Sequence, residues 1–380
     1  MKFLLLYPYP TEPDGQSLQG HYLSKGMKEL GHEVIDCDRG DNEKKVLTYE
    51  NFKPDAVIGV GYWGDAPELI LHPLKHGMNP VPWFNADGWV ANYQSVLSEL
   101  PLLLTTSNWV RETYIRDEVK GDNIFPCGIG YDPKIFYPSN YFESRKKIRQ
   151  QLGIEEDEVM ILTAGGDVTS KGAQEMIRAL ARIDKKFSNW KYVLKVWPSF
   201  SADNHGREEE EMIESLGLDK NKFVYLRDTF SPRTMAKLHN ACDIYAAPSR
   251  LEGFGMIQLE AQACGKPVIS INVGGPRDVI KNGKTGFLVD IEHEVKLERE
   301  WVYPHMGFEE KKLIEFSEPK TFAYRANVDQ LAECTLKLMR DTDLRIRMGN
   351  AAAKHALENF HYKVTAKKIA DLVAKKILKK

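Results

Sequence analysis

The 380-residue sequence predicts an α/β fold built as two parallel-sheet domains, and three observations carry that expectation. Short apolar runs recur through both halves, among them Lys2 to Tyr7, Leu102 to Leu104, Val159 to Ala164, Ile244 to Ala247 and Val268 to Ile271, each the length of a buried strand. Helix-length segments bounded by glycine separate them, the alternation that produces βαβ units. With 42% hydrophobic and 28% charged residues, the chain also has apolar material for two ordinary domains.

Lys2 to Tyr7 reads as the first strand and not as a signal peptide, because the apolar run is short and no small-residue cleavage site follows it. The turn-rich loop Pro8 to Gly15, a helix ending near Leu30-Gly31 and a strand from His32 complete a βαβ unit. Asp36-Cys37-Asp38 has a metal-holding Asp-x-Asp form, but it ends a strand ahead of the charged run Arg39 to Lys45, so solvated strand-end acids are the preferred reading. Asp55 to Gly64 fits G-x-G-x-x-G after a strand, with Ala66 to Lys75 as the following helix. That pattern suggests a nicotinamide-dependent oxidoreductase. Against it, the run falls on a later strand than the usual first turn, Tyr62 and Trp63 would crowd a pyrophosphate, and Pro67 interrupts the helix. Val81 to Phe84 then forms an apolar strand that runs into Asn85, Asp87 and Gly88, at the carboxyl end where open α/β sheets bind ligands.

After a further strand and helix from Leu102 to about Glu118, the Pro, Gly and polar residues from Pro133 to Asn140 are the linker candidate. This divides the chain into domains 1–138 and 139–359. In the second, a basic helix from Ser144 to Leu152 precedes the strand Val159 to Ala164, and Gly165-Gly-Asp-Val-Thr-Ser-Lys171-Gly172 leads into a helix. It is no Walker A loop, since Ser170 stands where the glycine before lysine is needed. Strands at Lys191 to Val196 and Phe223 to Leu226 alternate with helices at Arg207 to Leu216 and Thr234 to Asn240. Residues 292–324 break the compact pattern and read as an insertion, either a functional flap or an ordered surface loop. Two charged helices and a last helix, about 360–380, complete the chain.

The second half is organised around Ser249 to Gly265. A helix beginning near Gly255 and closing at Gly265 places Glu252 in the glycine loop and Glu260 on the helix. With all intervening residues helical the two acids would stand roughly 12 Å apart at about 1.5 Å per residue. Paired glycosidase carboxylates need about 5 to 9.5 Å. Two separated acids with free helix-start N–H groups between them suit a long ligand with hydroxyls at both ends and an anion in the middle, as in a nucleotide-sugar. An ordinary loop-to-helix turn is the competing reading.

This stretch resembles the Glu-x7-Glu motif of retaining glycosyltransferases of family 4, which have the GT-B fold. Asp243 to Pro248, Gly274-Gly275-Pro276 and Asn282 to Val289 continue the likeness, as do Gly31 to Val34 and Asn123 to Pro138. The resemblance implies two Rossmann-like domains facing each other across a cleft, with the C-terminal helix crossing back to the first. It implies that Glu252 holds sugar hydroxyls, Glu260 the ribose, and the Gly253, Phe254 and Gly255 backbone the sugar and phosphate. Gly15 and Lys171 correspond to diphosphate-side positions. The sequence departs from the family at Gly166, where an arginine is usual, and near Asp87, where a histidine is usual. Asp87 is the nearest match to that catalytic group and Asn85 the choice if the register slips. Tyr62, Trp63 and Asn85 are read as acceptor-side residues, with core packing the alternative for the two aromatics. The implied activity is transfer with retention, catalytic residues Asp87, Lys171 and Glu252, and a nucleoside-diphosphate sugar as donor. No obligatory metal or other cofactor is implied. Acceptors would be a sugar, a lipid-linked species or another small hydroxyl compound. A binder of nucleotide-sugars without turnover is the main alternative.

A net charge of -2 gives no reason to propose a nucleic-acid partner. The five dispersed cysteines lack C-x-x-C spacing and favour a reducing, cytoplasmic setting. Lysines around Ile369, Leu372, Val373 and Ile377 make a basic amphipathic tail. Packing of its apolar stripe on the protein is the preferred reading, and peripheral contact with the inner face of a membrane the alternative.

Overall fold

A computed structural model describes residues 1–86, 88–139 and 142–378. The chain divides into one unit of Met1–Asp132, Lys296–Phe322 and Asn359–Lys380, and another of Pro133–Val295 and Ala323–Glu358.

The first unit begins with β1 (Lys2–Tyr7), α1 (Gly15–Glu29), β2 (Glu33–Asp38), α2 (Asn42–Asn51), β3 (Ala56–Tyr62) and α3 (His72–Lys75). It continues through β4 (Pro80–Asn85), α4 (Gln94–Glu99), β5 (Leu103–Thr105), α5 (Asn108–Arg116) and β6 (Ile124–Pro126). The six strands pair in parallel in the order β2-β1-β3-β4-β5-β6. Five of the six residues of β1 are buried, as a central strand covered on both faces requires. The Asp14 side chain starts α1 by accepting from the Gln16 and Ser17 amides, each at 3.0 Å. Because β2 lies on one side of β1 and β3 on the other, the strand order reverses between β1 and β3, the place where such sheets open a crevice.

Gly59 and Gly61 lie within β3 and not in a loop, with the Leu69 and Asp65 side chains where their Cβ atoms would be. These glycines therefore let the Asp65 and Leu69 segment pack closely against the strand. The single helix expected over Ala66 to Lys75 is instead a π-helical turn, Pro67–Leu71, continued by α3. The charged run Arg39 to Lys45 leads into α2, capped by Asp41, which accepts from the Lys44 amide at 3.0 Å.

The second unit contains α6 (Phe142–Gln151), β7 (Val159–Ala164), α7 (Ala173–Asp184), β8 (Trp190–Val196), α8 (Phe200–Ser215), β9 (Phe223–Arg227) and α9 (Pro232–Ala241). Then come β10 (Ile244–Ala247), α10 (Met256–Ala263), β11 (Val268–Ile271), α11 (Pro276–Val279) and β12 (Gly286–Val289). The sheet is again parallel, in the order β12-β11-β10-β7-β8-β9. Its order reverses between β7 and β10. At the base of this sheet, Asp243 is clamped by Arg145 at 2.7 Å, Arg149 at 3.0 Å and the Met160 amide at 2.8 Å. Burial opposes ionisation of Asp243, but the two arginines hold its carboxyl below the usual range.

Residues 292–324 fall in β13 (Ile291–Val302) and β14 (Lys312–Ala326), which pair as a two-stranded ribbon, followed by α12 (Val328–Arg340), α13 (Thr342–Phe360) and α14 (Tyr362–Val373). Within the first unit, Lys320 reaches the buried Asp117 at 2.8 Å, and Asn92 donates to the Gly307 carbonyl at 3.1 Å. α14 packs on α1, with the Tyr362 hydroxyl 2.9 Å from Glu29 and Thr365 donating to the Gly128 carbonyl at 3.1 Å. Ile369, Val373 and Ile377 are buried, so the tail's apolar stripe is used inside the unit while Lys367, Lys368 and Lys375 stay exposed. No helix among the described residues is long and apolar enough to cross a membrane.

Candidate functional site

In the second unit, the loops leaving β7 and β10 meet at the point where the strand order reverses. After β7 the chain turns through Gly165 to Lys171 and enters α7 at Gly172, whose φ of +86° is left-handed. A Cβ at Gly172 would run into the Pro248 backbone at the end of β10, so only glycine lets the two loops approach this closely. The Arg250 amide donates to the Ser170 carbonyl at 2.9 Å and joins them. Across this junction Lys171 Nζ lies 2.7 Å from Glu252 Oε2, with the lysine side chain 24% and the glutamate 16% exposed.

A second close approach, at Gly275, builds the other wall. The Gly275 amide donates to the Glu252 carbonyl at 2.8 Å, and a Cβ at Gly275 would strike the Gly253 and Phe254 backbone. Gly255, at φ +101°, turns the chain into α10. Phe254 is buried beneath the loop. The amides of the first turn of α10 have no acceptor within the helix and present the positive end of its dipole beside Glu252. Buried Gln258 fixes that turn, donating to the Ala247 carbonyl at 3.1 Å and to Ser270 at 3.0 Å. One end of the site thus offers an ammonium, a carboxylate and free amides together, which is chemistry for an anion flanked by hydroxyls.

Glu260 lies farther along α10, 6% exposed. Burial pushes its carboxyl up, and His239 of α9, with Nε2 at 3.8 Å, acts against that shift. Gly166, at the position of the usual arginine, is covered by the Trp197 indole: a Cβ there would meet the ring at 3.0 Å. Lys195 is buried behind that ring, its ammonium 5.7 Å from the Trp197 centroid and 5.6 Å from Phe230. Burial lowers the Lys195 ammonium to about 8, with Asp228 acting the other way. Sequence reasoning placed Lys195 only in a strand and His239 only in a helix. A lysine directly following the apolar run Tyr192 to Leu194 was the available signal for the first, and nothing local marked the second.

In the first unit, Gly15 is the exposed first residue of α1 and Tyr62 the last of β3, so they flank the β1/β3 reversal. Asn85 ends β4 and accepts from the Thr106 hydroxyl at 3.1 Å. Trp63 is 2% exposed and donates to the Trp89 carbonyl at 2.8 Å, a core position. Asp87 lies outside the described residues. Asp36 accepts from Ser24 at 2.9 Å and Lys28 at 2.6 Å. Among the described residues no group of three or more His, Cys, Asp or Glu could hold a metal ion.

Residues 144–299 match the family model of glycosyl transferases group 1. D-inositol 3-phosphate glycosyltransferase of Paenarthrobacter aurescens is 34% identical over 172 residues, 45% of this chain and 40% of that protein. Its namesake from Corynebacterium glutamicum is 28% identical over 272 residues, 71% of this chain and 56% of that protein. The chain spans about half the length of the curated relatives it matches. Among solved structures, a glycosyltransferase from Rickettsia africae superposes with a TM-score of 0.76 at 19% identity, covering 100% of this chain and 98% of that one. Anabaena HepE, solved with UDP-glucose, gives 0.72 at 17% identity, covering 99% of this chain and 100% of that one. The fold is therefore that of the GT-B glycosyltransferases, and the stretch that carries Lys171, Glu252 and Glu260 is the part that matches the group 1 family.

Proposed function

We propose that the protein is a retaining glycosyltransferase that moves a sugar from a nucleoside-diphosphate sugar to a hydroxyl acceptor. The observation that carries this reading is the meeting of Lys171 and Glu252 at the strand-order reversal, beside the start of α10. In it, Glu252 accepts from hydroxyls of the donor sugar. Lys171 and the α10 amides neutralise charge as the diphosphate departs. Glu260 accepts from the ribose at the far end, which fixes the donor along the helix. The Glu-x7-Glu spacing supports retention, with the acceptor hydroxyl attacking on the face from which the diphosphate leaves. Asp87, by its sequence position before Gly88, is the proposed polar group beside the reacting sugar. Gly15 is proposed on the phosphate side and Tyr62 and Asn85 on the acceptor side, whereas Trp63, 2% exposed, keeps to core packing.

The names of the similar proteins make UDP-sugars the first donors to try and polyol phosphates, such as inositol phosphate, the first acceptors. A second reading, a nucleotide-sugar binder without turnover, is favoured by one feature: Gly166 lacks a side chain and Trp197 covers it. Incubating the protein with a panel of UDP-, GDP- and ADP-sugars and acceptors, and tracking nucleoside diphosphate release and the product's anomeric configuration, separates the two. Transfer with retention that is lost in Glu252→Ala supports the enzyme. Donor binding without transfer to any acceptor supports the binder, and an inverted product overturns the retaining mechanism.

A further inference from the structure

We infer that His239 is a positioning residue for Glu260, holding its carboxylate aimed for a ribose diol; this rests on the donor reading above. His239 sits in the last turn of α9 with no exposed surface, and neither ring nitrogen has a hydrogen-bond partner. Buried imidazoles are normally satisfied on at least one side. This one directs Nε2 at Glu260 Oε2 from 3.8 Å, longer than a hydrogen bond and within ion-pair range. Among the described residues it is the one basic side chain within 4.0 Å of that carboxylate.

Two aromatic rings flank the imidazole. The imidazole stands edge-on to the Tyr245 ring at 5.4 Å and 6.3 Å from Phe136, while the Tyr245 hydroxyl is occupied by the Ala164 carbonyl at 3.1 Å. Glu260 keeps 7% of its side chain exposed, so one part of the carboxylate is open to a ligand while His239 stands on the other. A carboxyl group accepts two vicinal hydroxyls most strongly when it is charged and held in one rotamer. In this environment burial works against the charge, and His239 is the group placed to oppose it.

The alternative is that His239 merely fills the space beside Tyr245. Calorimetric titration with UDP, GDP and ADP, each paired with its 2′-deoxy form, distinguishes the roles on wild type, Glu260→Gln, His239→Phe and His239→Gln. The wild type should prefer the ribonucleotide of its cognate pair by about tenfold or more, the scale of a hydrogen bond to a charged group. Glu260→Gln and His239→Phe should each collapse most of that preference, whereas His239→Gln, whose Nε2 can occupy the position of the imidazole nitrogen, should retain it. If the phenylalanine variant does not fold, His239→Asn, whose amide falls short of Glu260, takes its place in the comparison. A ribose preference unchanged in His239→Phe but lost in Glu260→Gln overturns the positioning role and leaves the donor reading intact. A wild type that binds none of the diphosphates, or a Glu260→Gln that keeps the preference, overturns the donor reading and the inference with it.

Discussion

Lys171 and Glu252 are 81 residues apart in sequence, yet their charged ends stand 2.7 Å from each other. Both side chains keep part of their surface in solvent, and an ion pair so placed contributes only about 0–1 kcal/mol to folding. The pair is therefore better explained by the charges it presents to a ligand than by any gain in stability. A bound donor would draw the two apart in function, the ammonium to phosphate and the carboxylate to hydroxyls.

The first test comes from that division. Lys171→Ala and Glu252→Ala should each lower transfer by on the order of 100-fold. Neither should shift thermal unfolding by more than the equivalent of about 1 kcal/mol. A large loss of stability in either variant would mean that the pair is chiefly structural. Measuring kcat/KM and the melting temperature on the same preparations decides between the two.

Asp243 is the opposite case. Its carboxylate anchors Arg149, which is 1% exposed, as well as Arg145 and the Met160 amide at the head of β7. Asp243→Asn should destabilise by about 3 kcal/mol, because a buried guanidinium loses its counter-charge. The folded-state pKa of Asp243 is depressed, so its contribution is present above the ordinary carboxylate range and fades as pH falls through the lowered value. The wild type should consequently lose more stability than Asp243→Asn on acidification, which chemical denaturation at neutral and acidic pH would read directly.

The contrast between these two pairs also marks the limits of what a sequence discloses. Lys2 to Tyr7 and Val159 to Ala164 are legible to the residue because each is a continuous apolar run with both faces buried. Helix α2 is hidden in a charged run, since its buried residues are Lys45, Thr48 and Tyr49, and no apolar period announces it. The β13-β14 ribbon is unreadable as strands for a similar reason: exposed residues dominate most of its length and hydrophobic alternation is weak. Lys171, Glu252 and Glu260 are candidates that glycine spacing and family likeness single out. Their grouping is set by β10 pairing beside β7, a non-local choice that no local pattern encodes. His239 and Lys195 escape for the same reason, because tertiary packing decides which groups they face.

Gly172 offers a check on the junction itself. An alanine there would meet both a left-handed φ of +86° and the Pro248 backbone. Gly217 has a similar φ of +67°, but nothing lies within 4 Å of its would-be Cβ. Gly217→Ala should cost about 1–2 kcal/mol for the backbone conformation alone. Gly172→Ala should cost about that much again through the forced displacement. It should also weaken donor binding by moving Lys171, while Gly217→Ala leaves binding unchanged. Equal effects of the two substitutions on binding would remove the close approach of the β7 and β10 loops from the account of the site.

Lys195 supplies a test on the alkaline side. Burial brings its folded-state pKa from 10.5 to about 8, so between these values the folded protein has released a proton that the unfolded chain still holds. At this site the unfolded state then binds more protons, so its contribution to stability rises with pH across that window. Below about 8 the same site carries a desolvated charge whose near company is the faces of Trp197 and Phe230. Lys195→Met, which keeps the length and apolar stem, should therefore be at least as stable as wild type at pH 7. The advantage should shrink as pH climbs from 8 towards 10, because the wild-type ammonium is discharged and its penalty relieved. The measurement is the difference in unfolding free energy between the two proteins at each pH, which cancels the titration of tyrosines and other lysines common to both. A difference that stays constant across the window would show that Lys195 keeps its ordinary basicity in the folded protein.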